Sequence, residues 1–265
     1  MASAANTNLP ILYREIVPLS SNDHADWKAR PLTRLDFLRG VHAIPLTVEE
    51  FVDAQRFYPI IFSIGDEPVP LGLMGLNEGV NVFVTDDGEL NTDIYIPAYV
   101  RRYPYMLVRL REDSDELSLC FDPTAGAVGP DVEGAPLFED GKPTEDTRQL
   151  LGFCEQFEGA GQRSVQFMQE LKQHNLLMEG EVSIQPEGAE QPFVYRGFQM
   201  VDEAKLRELR GDVLRKMNQS GMLALIFAHL YSLQLLRVIF ARQQMTIAAA
   251  QEAAAGAPDT AETAA

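Results

Sequence analysis

PIIFSIGDEPVPLGLMGLNEGVNVFVTDDG, residues 59–88, holds three short runs rich in β-branched and aromatic residues: Ile60–Ile64, Val69–Leu73 and Val80–Val84. Gly and Pro separate them, and that alternation predicts short antiparallel strands rather than helix. Asp86-Asp87-Gly88 closes the stretch with a tight-turn signal, because glycine supplies the positive φ such turns need. Working outward toward the C-terminus, Tyr105–Arg111 and Glu116–Phe121 flank Glu112-Asp113-Ser114-Asp115 and predict a hairpin. Between these regions, Pro97 opens one helical turn through Arg102. Toward the N-terminus, Val41–Leu46 reads as a strand running into Thr47-Val48-Glu49-Glu50, a capping box that starts a helix cut short before Pro59. Ile11–Val17 is a further extended segment.

Residues 122–143 are rich in Gly, Pro and acidic side chains and are read as a linker or loop excursion. Beyond them the periodicity changes. Leu150, Leu151, Phe153, Cys154 and Phe157, then Val165, Met168 and Leu171, recur at helical spacing. Val182–Gln185 and Phe193–Met200 predict two strands around the turn-rich Pro186–Pro192. Asp202 then caps a charged helix through Arg210, and a long apolar helix follows from Ser220 to Gln243. The expected class is α+β: a β-rich half of short antiparallel strands (1–121), the excursion (122–143), and a helical region with a hairpin and a long apolar C-terminal helix (144–245) packed on the first half as one unit. An Ala-rich disordered tail (246–265) completes the expected plan.

Charge narrows the function. With 22 basic and 39 acidic residues the chain carries −17, a balance that repels phosphate backbones and anionic lipid heads and disfavours general nucleic-acid or membrane-surface binding. The two cysteines, Cys120 and Cys154, lie far apart in apolar runs, which fits buried thiols in a reducing compartment. Met1–Asn6 lacks a basic n-region and an apolar h-region, so a cytoplasmic protein is expected, with export by a signal-less route as the alternative. Gly221–Phe240 is long enough to cross a bilayer. It nevertheless carries His229, Gln234 and Arg237, so a buried or partner-facing helix is expected, not a transmembrane segment.

Assembled catalytic motifs are absent from the sequence. Gly72-Leu73-Met74-Gly75 and Gly126-Ala127-Val128-Gly129 lack dinucleotide-binding spacing, and Gly141-Lys142-Pro143-Thr144 places proline where a P-loop needs Ser or Thr. His24 and Asp26 with a distant His229 have the composition of a two-His-one-carboxylate iron site. Their placement, one pair in a polar segment and one residue in an apolar helix, argues for coincidence. No metal and no cofactor is therefore expected.

Two stretches stand out as recognition surfaces. Tyr95-Ile96-Pro97-Ala98-Tyr99-Val100-Arg101-Arg102-Tyr103-Pro104-Tyr105 concentrates tyrosine and arginine in an acidic chain. Arg101 and Arg102, with Tyr95, Tyr99 and Tyr103, have the chemistry of a clamp for an anionic group or peptide terminus. The competing reading pairs both arginines internally and packs the tyrosines in the core. In the last long helix, Gly221, Ala224, Ala228 and Ser232 form a narrow face of small residues beside His229, suited to close approach by a neighbouring helix or a second copy of the chain.

These blocks also resemble a known family. Val41–Thr47, Tyr58–Phe62, Leu76–Val84, Tyr95–Tyr105, Gly134–Phe138, Val201–Leu206 and Ser220–Leu230 are similar, in order, to the bacterial SapC family. The resemblance implies association with surface-layer or envelope protein systems and brings no catalytic residues with it. The expected function is a SapC-like accessory or binding protein with a protein or peptide partner, not an enzyme. An enzyme with a dispersed, metal-dependent site is the alternative.

Overall fold

Short strands and long helices form the two cores of the computed structural model, which describes residues 9–85, 87–90, 92–111, 113–185 and 191–256. The main sheet has five antiparallel strands: β3 (Ala43–Pro45), β4 (Ile60–Phe62), β5 (Pro70–Leu73), β12 (Leu177–Ile184) and β13 (Phe193–Val201). Their order is β12-β13-β4-β5-β3. Ile60, Ile61 and Phe62 are all buried, so both faces of the sheet are covered at its middle strand. A second sheet is built from β1 (Val17–Pro18), β6 (Tyr105–Arg109) and β7 (Leu117–Phe121), in the order β1-β7-β6. In a third, β2 (Lys28–Ala29) lies between β8 (Val128–Gly129) and β9 (Ala135–Pro136). β10 (Phe138–Glu139) and β11 (Lys142–Pro143) form a small hairpin.

The helices are α1 (Phe51–Ala54), α2 (Ala98–Arg102), α3 (Glu145–Gln173), α4 (Glu203–Arg207), α5 (Gly211–Gln219), α6 (Met222–Ser232) and α7 (Leu235–Gly256). Thr144 caps α3 by accepting from Thr147 N–H, and Asp202 caps α4 by accepting from Ala204 and Lys205. α3 joins the two cores. Its Phe167, Met168 and Leu171 sit in the large cluster with Phe51 and Phe62, and Cys154 sits in the smaller one with Tyr105, Leu107, Leu119 and Phe121. Both thiols are buried and free, and burial pushes Cys120 and Cys154 up to about 11.

β13 and β4 pair only at Gln199 and Phe62. Where they part, α6 supplies the missing partners. His229 Nε2 accepts from Val201 N–H (3.1 Å), which leaves the proton on Nδ1 to donate to the Ile60 carbonyl (2.8 Å). Ser232 Oγ accepts from Ile60 N–H (2.8 Å) and donates to the His229 carbonyl (2.6 Å). The His229 ring also stacks on Phe62. This is a structural histidine, fully buried and fully bonded.

The α+β class with a helical C-terminal half holds, and several local expectations need correction. Val80–Val84 is not a ladder strand. Asn81 turns inward, donates to the carbonyls of Leu38 and Val41, and accepts from Phe83 N–H, leaving one isolated bridge between Val84 and Leu90. Ile11–Glu15 is irregular, and only Val17–Pro18 pairs. The charged helix after Asp202 ends at Arg207 and resumes as α5. The Ser220–Gln243 helix is α6 and α7, joined by i→i+3 bonds around Leu233. Residues 122–143 contribute β8–β11, which are too short for alternation to reveal. α7 reaches into the stretch expected as a tail. Asp86, Glu112 and Pro186–Glu190, within expected turns, lie outside the described residues, as do 1–8 and 257–265.

Candidate functional site

A strap, Arg30–Leu35, leaves β2 and crosses the surface between the two cores. Its ends are held by backbone bonds, Arg30 N–H to the Ala127 carbonyl and Leu35 N–H to the Gly88 carbonyl. Clefts open on both sides of it, of about 900 Å³ and about 610 Å³, and Arg30–Thr33, Phe37 and Tyr103 line both. The larger side adds Arg14, Arg34 and Asp36, and the smaller adds Arg101, Pro136 and Asp146. Three arginines thus line the larger cleft against Asp36, and two line the smaller against Asp146, Arg30 being common to both, in a chain whose overall charge is −17.

Asp36 is the internal partner on the larger side. Arg34 meets it at 3.0 Å and Arg39 also bonds to it, and these two guanidiniums, Arg34 first, hold its carboxyl down to about 2. Arg30 donates to the Gly126 carbonyl at 3.4 Å. Arg101 lies against the rings of Tyr95 and Phe153 and donates to Tyr95 Oη. Among the described residues no carboxylate stands within ion-pair distance of Arg30 or Arg101.

The single turn of α2 separates the two adjacent arginines. Arg101 faces the groove, and Arg102 (4% exposed) turns inward to pair with Glu158 at 3.0 Å and to lie over Tyr99 and Phe157. Tyr95, Tyr99 and Tyr103 serve the scaffold. Tyr99 Oη donates to the Ile11 carbonyl, Tyr103 packs on Tyr13 and Phe37, and Tyr95 Oη donates to Glu50. Burial raises all three phenols, Tyr95 to about 12, so they are neutral here.

Sequence reading missed the buried Glu50 as the element that places α2. Its Oε2 accepts from Thr47 N–H (2.8 Å) and Thr47 Oγ1 (2.9 Å), and its Oε1 accepts from Ala98 N–H (2.6 Å) and Tyr95 Oη (3.1 Å). The capping glutamate therefore caps its own turn with one oxygen and the start of α2 with the other. Sequence reading also missed Arg14, Arg30 and Arg34. A local charge count over Arg30-Pro31-Leu32-Thr33-Arg34 would have found two of them.

The other expected sites lie apart. His24 packs between Trp27 and Phe121 in the small core, and His229 is sealed between β4 and β13. His24, Asp26 and His229 thus do not converge, and no cluster of three or more metal-ligating side chains occurs among the described residues. Of the small-residue face, Ala228 and Ser232 are buried against the protein with His229, while Gly221 and Ala224 are exposed.

Gly134 controls the strap. A Cβ there would stand 2.0 Å from the Ala29 carbonyl oxygen, a backbone atom with no freedom to yield. Gly134→Ala is expected to displace β2 at a cost of about 2 kcal/mol. Trp27, the only tryptophan and next to β2, reports the shift in its emission spectrum; an unchanged spectrum and stability would contradict it.

The SapC family model matches residues 19–239. The chain belongs to the SapC family. No curated protein and no solved structure matches it.

Proposed function

We propose that this SapC-family protein is a non-catalytic binding or accessory protein of bacterial surface-layer or envelope protein systems, and that the clefts flanking the strap receive an acidic or carboxy-terminal segment of a partner protein. The observation that carries this is the arginine lining of the two clefts in an acidic chain: Arg14, Arg30 and Arg34 on the larger side of the strap, Arg30 and Arg101 on the smaller. Guanidinium groups hold carboxylates by two parallel hydrogen bonds, and the flanking Phe37 and Tyr103 offer apolar area to an extended peptide. Arg102 supports the groove from behind and is not a ligand contact.

A fluorescein-labelled peptide ending in acidic residues with a free carboxylate is the probe, read by anisotropy. Arg30→Ala with Arg101→Ala is expected to weaken binding about tenfold or more, and added salt to weaken it further. Equal affinity in the double variant, or no binding by the parent protein, would sink the proposal. Copurification from native cells then identifies the partner.

A further inference from the structure

From Val213 to Gln251 the chain has no Asp or Glu, while Arg215, Lys216, Arg237 and Arg242 are basic. This positive stretch, in a chain of −17, contains a helical segment, Met222–Ala248, long and apolar enough to cross a membrane yet only 39% buried over its most apolar window. Its outer face is regular. Phe227, Tyr231, Gln234, Val238, Ala241 and Met245 follow one another at alternating intervals of four and three, along α6, the turn at Leu233 and α7. Tyr231 (62%), Val238 (43%) and Met245 (72%) are open to solvent.

We propose that this stripe docks the protein on an anionic lipid surface, with the helix lying in the headgroup region. Three observations select this occupant. The inward face is pinned: His229 and Ser232 bond to β4 and β13, and Gln243 accepts from Leu76 N–H and donates to Asn77, so the helix cannot leave the protein to span a bilayer without breaking these bonds. The outer face offers aromatic and aliphatic side chains flanked by Arg237, the composition of interfacial helices. A second copy seated on the same stripe would bring Arg237 against its own kind with no acidic residue from Val213 to Gln251 to meet it, whereas anionic headgroups meet it with opposite charge. The acidic remainder of the chain is repelled by such a surface, which orients the molecule with α6 and α7 toward it.

The full chain is tested by cosedimentation with phosphatidylcholine vesicles, with and without roughly a third phosphatidylglycerol. Binding is expected on the anionic vesicles, falling with salt. It should weaken about tenfold or more in Val238→Glu with Met245→Glu, two exposed positions whose change leaves the circular dichroism spectrum intact. Arg237→Gln should weaken it less. Absence of binding, or binding unaffected by the double variant or by headgroup charge, overturns the proposal. A lipid-free dimer dissolved by the same double variant, without vesicle binding, assigns the stripe to a second copy instead. The groove variants Arg30→Ala and Arg101→Ala should leave vesicle binding unchanged, which separates this outcome from the peptide experiment.

Discussion

His229→Ala is expected to lower the unfolding free energy by about 4 kcal/mol, since it strips partners from two buried backbone groups and opens a cavity beside Phe62. His229→Gln, which retains one donor and one acceptor, should cost less. The same residue predicts a pH dependence. Burial lowers the His229 imidazole from 6.5 to about 4, against a smaller opposing pull from its bond to Ile60. Between these values the unfolded chain takes up a proton that the native protein refuses, so unfolding is favoured as the pH falls. The contribution is fully present above about 6.5, is lost progressively down to about 4, and amounts to about 3 kcal/mol. Urea denaturation across this range should therefore show a steeper fall for the parent protein than for His229→Gln. Parallel profiles would refute the assignment.

Glu50→Ala is expected to cost a similar amount, about 4 kcal/mol, because Thr47 and Ala98 amides and the Tyr95 hydroxyl would all lose a buried acceptor at once. Glu50→Gln should cost about half as much, since one carboxylate oxygen becomes an amide that faces donors with a donor. The effect reaches the groove. Ala98 begins the turn that carries Arg101, so hydrogen exchange should rise across Ala98–Arg102 in both variants, and peptide affinity should fall even where the protein remains folded. Protection unchanged over that turn would show that α2 is placed by packing alone.

How far the sequence reached differs by element. Tyr105–Arg109 with Leu117–Phe121 was legible as a hairpin because β-branched and aromatic runs flank a polar turn. The Thr47–Glu50 signature located a helix start and its capping box is present, with Thr47 Oγ1 in addition donating to the Glu50 carboxylate. Val80–Val84 misled, since an apolar alternating run also suits a loop pinned by one inward asparagine. The tyrosine–arginine block was visible as unusual chemistry, but its two arginines do different work. Their adjacency hides the roughly 100° that a helical step turns each side chain from the next.

Composition and local pattern by themselves determined the α+β class, the acidic charge balance, the capping box at Thr47 and the cap at Asp202, and the family blocks from Val41 to Leu230. All of these depend on residues near one another in the chain. Tertiary structure alone decided that Arg14, Arg30, Arg34 and Arg101 line the clefts flanking one strap, that Glu50 holds α2, and that His229 repairs the parting of β4 and β13. It also decided which stripe of the last apolar helix stays uncovered. Each of these is a long-range pairing, set by which buried polar groups must find partners once the chain has closed on itself, and no local period encodes that.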